Sequence, residues 1–487
     1  MMAKRIAVAG AGMGGLCAAI LARQAGHEVT IYEHAGDVGG TWRANRYPGV
    51  ACDVPAILYQ FSFAPNPNWS HHFARGPEIH DYTRGLVDQF GLRESLHLNE
   101  GVSRATWDED DKVWVVETEK GERGTFDAIV PALGQLSRPC LPEIAGRDSF
   151  AGTMFHAAEW PEALDLTGKR VGVIGSAASA VQFIPEIAKE AAQLVFFQRT
   201  PNWVVPRNDH EVTPETKALM MTNIEMAMKL GASQRAMIFD NADAFFWQAF
   251  QFTPEGRAAF TRTALDHLEA QVPDPELRAK LTPDYPIGCK RILICDDFYP
   301  ALMRENVTLE TASIAAIAPN GVRTANGFHD LDVLIFATGF ETTEWNWSME
   351  VVGEGGRTLK EAWKDGPEAY LGIMAAGFPN MFMLYGPNTN LGHNSISFMI
   401  ERQVGYMLKT LEALEADGAR AAVPTPEGQQ RFNDRIGQLL DGTVWADPHC
   451  HSWYKAANGR VYQNWAGSCG DYARETETLD REALAFA

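Results

Sequence analysis

Arg5-Ile-Ala-Val-Ala-Gly-Ala-Gly-Met-Gly-Gly15, followed by the helix-like run Leu16 to Ala25, decides the first part of the fold. Gly10, Gly12 and Gly15 stand in GxGxxG register, with Gly14 among them. Gly10 permits a tight turn, Gly12 lets backbone approach a pyrophosphate, and Gly15 lets helix pack closely on strand. The helix N-terminus adds partial positive charge toward the phosphates. A second apolar strand, Glu28 to Tyr32, ends in Glu33, about 20 residues on, where an acid can bind ribose hydroxyls. The pattern predicts a dinucleotide site with free ribose hydroxyls, as in FAD or NAD.

A second cradle follows. Lys169 to Ile174 is a strand, and Gly175-Ser-Ala-Ala-Ser-Ala180 keeps the register with Ala177 and Ala180 in place of glycines. Ala at the third position is tolerated; Ala at the second pushes a pyrophosphate away from the backbone. Gly175, Ser176, Ala177 and Ser179 are the expected lining. The next strand, Leu194 to Phe197, ends in Gln198-Arg199-Thr200 where NAD sites carry an acid. A guanidinium and a hydroxyl there suit the 2′-phosphate of NADPH. Asp127 to Gly134 and Asp332 to Gly339 share one pattern, an apolar strand ending in a glycine turn, each downstream of one cradle. Two nucleotide sites in one chain imply two redox cofactors passing electrons between them.

Composition bounds the rest. The 487 residues hold 46% apolar and 21% charged types, which excludes a disordered chain, and the net charge is −20. So acidic a surface makes nucleic acid and anionic membrane poor partners. Seven cysteines without CxxC, in a chain of this length, suggest free thiols in a reduced cytoplasm. Glycines in Ile6 to Ala22, and Gly, Pro and Asn in Leu371 to Ile400, argue against a signal peptide or a membrane span.

Two longer patterns carry a resemblance. Gly39-Gly-Thr-Trp-Arg-Ala-Asn-Arg-Tyr-Pro-Gly-Val-Ala-Cys-Asp53 and Phe150-Ala-Gly-Thr-Met-Phe-His-Ala-Ala-Glu-Trp-Pro161 resemble the fingerprints of the Baeyer–Villiger monooxygenases. Gln198 to Trp203, Cys289-Lys-Arg291, Ala337 to Phe340 and Tyr385 to Asn388 fall in the same family order. The resemblance implies an α/β fold with two Rossmann-like domains, for FAD and NADPH, and a helical insertion. It further implies that NADPH reduces FAD and that O2 then gives a C4a-peroxyflavin. That species attacks a ketone to yield an ester or lactone through a Criegee intermediate, with thioether oxidation as a side activity.

Residue by residue, Gly10, Gly12, Gly14, Gly15 and Glu33 match the FAD adenosine–pyrophosphate site. Thr41 and Trp42 match contacts near the flavin, with Tyr59, Val102 and Ile396 as looser matches. Arg199, Thr200 and Lys290 match the grip on the NADPH 2′-phosphate. Arg291 resembles the active-site arginine, Asp53 the carboxylate that positions it, and Trp453 the tryptophan of a mobile loop. An arginine suits the chemistry because it keeps its proton at neutral pH and so stabilises an anionic oxygen without quenching it. No metal is called for. Ala177 departs from the family pattern. The segment from Asn458 to Gly467 resembles the hydroxyacetophenone-type branch rather than the cyclohexanone-type branch.

The expected organisation is residues 1–139 and 373–487 for the FAD domain, a linker at 140–151, residues 152–210 and 296–372 for the NADPH domain, and a helical insertion at 211–295. The stripe Phe245, Phe246, Trp247, Phe250 and Phe252 in the insertion reads as helical core, with ligand-channel lining as the alternative. His156 reads as a structural hydrogen bond or hinge more than as a base. Two other functions stay open: a flavin monooxygenase acting only on nitrogen or sulfur, and a non-catalytic dinucleotide-binding redox sensor. The expected partners are a small ketone or thioether and O2, and the expected assembly is a monomer or weak homo-oligomer.

Overall fold

The structure, a computed structural model, describes the chain except residues 1, 216, 218–223, 343–347 and 457, and the side chains except those at 224–232 and 234 as well. Part of the expected helical insertion therefore lies outside the described residues.

The N-terminal strands are β1 (Arg5–Ala9), β2 (Glu28–Glu33), β3 (Leu96–Leu98), β4 (Val102–Asp108), β5 (Val113–Thr118), β6 (Arg123–Phe126) and β7 (Ala128–Pro131). A parallel sheet of order β3-β2-β1-β7 forms from four of them. Strands β1 and β7 are apolar and almost wholly buried, as parallel strands covered on both faces must be. The covering helix α1 (Met13–Gln24) packs Leu16 and Ile20 into the core shared with the long helix Ile396–Asp417.

The second parallel sheet uses β8 (Thr153–His156), β9 (Arg170–Ile174) and β10 (Gln193–Phe197). The short pair β11 (Val204–Val205) and β12 (Leu293–Ile294) stands apart from it. After β13 (Val307–Glu310), the chain makes an antiparallel meander of β14 (Ile314–Ala318), β15 (Gly321–Thr324) and β16 (Gly327–Asp330), then β17 (Val333–Phe336). The sheet order is β13-β10-β9-β17-β8. The α/β fold class with two parallel nucleotide-type sheets is borne out.

The repeated Asp motif has a structural reason. Asp127 just before β7 accepts the Arg5 N–H at 2.7 Å, and Asp332 just before β17 accepts the Arg170 N–H at 2.9 Å. Each aspartate thus registers a late strand against the strand that leads into the cradle of its sheet. At the other end, a Cβ on Gly10 would lie 2.6 Å from the Ala132 oxygen, and one on Gly175 would lie 2.3 Å from the Ala337 oxygen. Both glycines also take positive φ, 104° and 109°. The same close approach of turn to neighbouring strand occurs in both units.

Two expectations are corrected here. The strand β18 (Glu350–Val352), inside the span expected to belong to the second nucleotide unit, pairs in parallel with β4 at the edge of the mixed sheet β18-β4-β5-β6. Val351 is buried there with Trp114 and Phe378, and that apolar cluster pulls the chain across. The aromatic stripe is not uniformly core: Phe250 is buried, whereas Phe245, Phe246 and Phe252 are exposed. The helix Ile224–Phe245 ends within the stripe and a 3-10 turn Phe246–Phe250 follows, so the rings splay instead of sharing one face. No helix among the described residues is long and apolar enough to cross a membrane.

Candidate active site

The first cradle is built as the glycine spacing requires. A Cβ on Gly15 would lie 1.8 Å from the Gly10 oxygen, so only glycine lets α1 start there. Gly12 is the N-cap of α1 and has no side-chain cap, which leaves first-turn N–H groups directed at the cradle. A Cβ on Gly12 would meet protein only at ordinary contact distance, 3.6 Å from the Gly40 Cα. That space is therefore kept for something other than protein. Gly14 faces Leu384 and helps seat the helix. Glu33 accepts the N–H groups of Ala11 at 2.7 Å and Ala35 at 2.8 Å, one on each oxygen. Each oxygen retains a lone pair for a ribose hydroxyl. These residues fit an adenosine–pyrophosphate end.

Gly39 and Gly40, with φ of 113° and 52°, turn the chain beside Gly12 into the short helix α2 (Thr41–Ala44). Thr41 is exposed, and Trp42 donates its indole N–H to the Tyr59 hydroxyl at 3.1 Å. Burial pushes the Tyr59 phenol up, so it stays a neutral group. Val102 is buried in the apolar cluster that contains Ala9 and Tyr32. Ile396 is the first residue of its long helix, which begins after Ser395 without a side-chain cap.

In the second cradle, Gly175 follows β9 and Ala177 is the N-cap of helix α4, counting α3 (Gly76–Gln89) before it and giving α4 as Ala178–Ile187. Ser176 donates its hydroxyl to the Thr200 carbonyl at 2.8 Å. Asn202 donates to the Ser176 carbonyl at 2.6 Å, and Tyr285 donates to the Pro201 carbonyl at 3.1 Å. Ser179 bonds Tyr47, whose phenol burial raises to about 12. The ammonium of Lys290 sits 4.4 Å from the centre of the Tyr285 ring. Burial, and then the positive charge of Arg199, hold the Lys290 ammonium below its ordinary pKa. Two cations placed together at such a cost fit a bound phosphate, which neutralises both.

Between the cradles, Asp53 grips Arg291. The guanidinium donates Nε–H to Asp53 Oδ2 at 2.8 Å and a second N–H to Oδ1. Asp53 follows Cys52, whose N–H donates to Ala74 at 2.9 Å and whose carbonyl accepts from Arg207 at 2.8 Å. The carboxylate is thus anchored through its own backbone. Arg291 follows a turn at Gly288, where φ is 85° and a Cβ would lie 2.3 Å from the Ala249 oxygen. Asp53 raises the arginine pKa above its ordinary value against the opposing effect of burial, so the cation keeps its proton throughout the working pH range. Its side chain remains 42% exposed, so part of the guanidinium faces open space where a ligand can reach it.

Sequence reasoning missed several groups in this ring. Tyr454 is 2% exposed and lies within the electrostatic reach of Arg291. Burial lifts its phenol to about 12 although the nearby arginine favours the anion. Tyr385, held above its usual range by burial, also faces Arg291. Both phenols bond Asn390, which in turn donates to Asn464 at 2.6 Å. The adjacency of Tyr454 to Trp453 and the Tyr385-Gly-Pro run were the available signals. Trp453 stands at the rim, 38% exposed, with its ring 4.3 Å from that of Tyr454.

The expectation of free thiols is corrected as well. Cys289 and Cys450 form a disulfide across 161 residues of sequence, while Cys17, Cys52, Cys140, Cys295 and Cys469 remain thiols. Nothing in the spacing of the two could reveal the pair, because the fold alone brings them together. His156 is buried and accepts the Ala158 N–H at 3.1 Å; burial lowers its pKa, as suits a structural imidazole.

Two parallel nucleotide units, two cradles and one arginine–carboxylate pair between them define a flavin- and pyridine-nucleotide-type oxygenase. Comparison with known proteins agrees. A family described as FMO-like, flavin-binding monooxygenase-like, matches residues 3–246. A Baeyer–Villiger monooxygenase of Streptomyces coelicolor is 41% identical over 98% of this chain and 91% of its own. Two solved structures superpose with it. One is an oxidized steroid monooxygenase bound to NADP, with TM-score 0.89, 32% identity and coverage of 100% of this chain and 99% of that one. The other is an OTEMO complex with FAD and NADP, with TM-score 0.88, 28% identity and coverage of 100% and 99%. The chain belongs to the flavin-binding monooxygenase-like family and, within it, to the Baeyer–Villiger monooxygenases.

Proposed function

We propose that this chain uses FAD and NADPH to insert one oxygen atom of O2 beside the carbonyl of a small-molecule ketone. Ketone, O2, NADPH and a proton give ester or lactone, NADP⁺ and water. Thioether oxidation is the expected side activity. The observation that carries the reading is the two-point Asp53–Arg291 pair between the two cradles.

When bound, NADPH supplies two electrons and the reduced flavin activates O2. The remaining work belongs to the chain. Gly10, Gly12, Gly14, Gly15 and Glu33 hold the FAD adenosine–pyrophosphate, and Thr41, Trp42, Tyr59, Val102 and Ile396 shape its surroundings. Gly175, Ser176, Ala177, Ser179, Arg199, Thr200 and Lys290 hold NADPH, with Trp453 at the entrance. Arg291 presents a permanent cation to the negative oxygen that develops on the carbonyl substrate. One preorganised charge of that kind lowers the barrier by about 3–4 kcal/mol. Asp53 holds the guanidinium plane. Tyr385 and Tyr454 remain neutral within the electrostatic reach of the arginine.

We also propose the division into nucleotide units given above, with Glu350–Val352 assigned to the FAD unit because it pairs with β4. A cytoplasmic monomer or weak homo-oligomer is the matching cellular form.

The test uses FAD-loaded protein with NADPH, O2 and a panel of ketones and thioethers. Ester or lactone formed in step with NADPH consumption, lost in Arg291→Ala, supports the reading. Sulfoxide alone, with every ketone untouched, points instead to a nitrogen- or sulfur-oxygenating enzyme. Flavin that NADPH fails to reduce would leave the redox-sensor reading standing.

A further inference from the structure

We infer that the Cys289–Cys450 disulfide is a positioning bond of the active site. It fastens the segment carrying Trp453 and Tyr454 to the loop carrying Lys290 and Arg291.

The placement carries the inference. Cys289 immediately precedes Lys290 and Arg291, and Cys450 lies just ahead of Trp453 and Tyr454. Their Cα atoms are 5.3 Å apart, and the two residues are only 0% and 1% exposed. Around the bond the segment is folded onto itself: the Cys450 N–H donates to Asp447 at 3.0 Å, and the Lys455 ammonium donates to the carbonyls of Asp447 and Cys450, both at 3.3 Å. Beside it the Trp445 indole donates to the Gly288 carbonyl at 3.2 Å, just before Cys289. Gly288 itself is locked by its close approach to Ala249.

The result is a short rigid span between the arginine and the phenol that faces it. Without the covalent bond, the Trp445–Gly288 hydrogen bond remains across this junction, and one such bond contributes about 1 kcal/mol net. Thermal motion would then carry Tyr454 and Trp453 away from the loop of Arg291 and disorder its surroundings. The segment carrying Trp453 is therefore pinned near its Cys450 end, with the Trp453 ring at the rim against Tyr454.

The chemistry is a two-electron couple. Forming the bond passes two electrons and two protons from the two thiols to molecular oxygen, which leaves as hydrogen peroxide. A dithiol reductant reverses it through a mixed disulfide, becoming a cyclic disulfide while Cys289 and Cys450 emerge as thiols. Burial shields both sulfurs, so reduction waits for the segment to open.

The functional part of the inference rests on the proposed role of Arg291, and the test separates the two. Air-purified holoprotein is first denatured without reductant and alkylated. Five modified cysteines and a cross-linked peptide joining positions 289 and 450 are expected, and seven modified cysteines would overturn the proposal. Hydrogen exchange is then compared between the holoprotein and Cys450→Ser. Selective loss of protection at residues 444–455 is expected, whatever the substrate; unchanged protection overturns the anchor.

Product and hydrogen peroxide per NADPH are measured last, in Cys289→Ser, Cys450→Ser and the double variant. Each should lose coupling by about tenfold and to the same extent, because the bond is lost once in all three. A lowered melting temperature with coupling intact would reduce the bond to a structural brace. Wild-type protein that converts no ketone defeats the ketone reading alone, since the alkylation and exchange results stand without it.

Discussion

Asp53 and Arg291 meet through two hydrogen bonds although 238 positions separate them in the chain. The carboxylate comes from the end of the Gly39–Asp53 pattern and the guanidinium from the loop just before β12. Their pairing joins segments far apart in the chain in one chemical group. Two donors on two acceptors fix the plane of the arginine, which a lysine could not reproduce.

Replacing either partner should separate oxygen transfer from NADPH oxidation. Arg291→Ala is expected to lower ketone conversion by about 100-fold or more, the usual effect of removing one preorganised charge. NADPH should still be consumed, with hydrogen peroxide as the product. Asp53→Ala should fall between that variant and wild type. Parallel assays of ester, peroxide and NADPH decide the matter; equal loss of all three would point to a fold defect.

Gly12 and Gly15 should behave differently when each becomes alanine. The new Cβ at Gly15 would lie 1.8 Å from the Gly10 oxygen, so Gly15→Ala should fail to fold or lose about 3 kcal/mol of stability. At Gly12 the nearest protein atom is 3.6 Å away. Gly12→Ala should therefore keep the apoprotein melting temperature within about 2 °C while losing FAD. Flavin content after desalting and thermal unfolding give the two readouts, and a destabilised Gly12→Ala apoprotein contradicts this assignment.

NADPH affinity should weaken as pH rises, and do so earlier than an ordinary lysine would require. Burial and Arg199 lower the Lys290 pKa, so the ammonium is present below that value and lost above it. KM for NADPH should climb on this alkaline limb while KM for NADH stays nearly flat, because NADH has no 2′-phosphate. Lys290→Met should flatten the NADPH profile and raise its KM by about tenfold, the scale of one charge-assisted hydrogen bond. Parallel NADPH and NADH profiles would remove Lys290 from the phosphate grip.

Asp243 should act on stability rather than chemistry. It accepts the N–H groups of Cys469 at 2.6 Å and Gly470 at 2.8 Å, and His393 at 3.2 Å. Burial pushes this acid up, but the His393 and backbone bonds outweigh it and bring its pKa to about 2. The folded pKa is the lower one, so the stabilisation is full above the unfolded value near 3.9 and disappears as pH falls toward 2. Asp243→Asn should lose about 2 kcal/mol at neutral pH, with the difference from wild type narrowing in acid. Denaturant unfolding at several pH values measures it.

Whatever depends on neighbouring residues was legible in the sequence. GxGxxG states its own geometry, because the turn at Gly10 and the helix start at Gly15 are set by atoms within a few residues. Strand Asp127 to Gly134 and its echo Asp332 to Gly339 were visible for the same reason, as local apolar runs bounded by an acid and a glycine turn. The family fingerprints placed Arg291 and Asp53 on the page without their distance. The partition of the aromatic stripe, the capture of Glu350–Val352 by β4 and the burial of Tyr454 were not legible, since each depends on what packs opposite.

By itself, then, the sequence determined two nucleotide cradles, their order and residue types suited to phosphate and ribose. Those properties follow from backbone freedom, helix dipoles and short-range spacing. Only the tertiary structure decided that Arg291 meets Asp53, that Cys289 bonds Cys450, and that Tyr385 and Tyr454 come within electrostatic reach of the guanidinium. Contacts across hundreds of residues are set by the summed burial of several apolar clusters, and no local pattern records that sum.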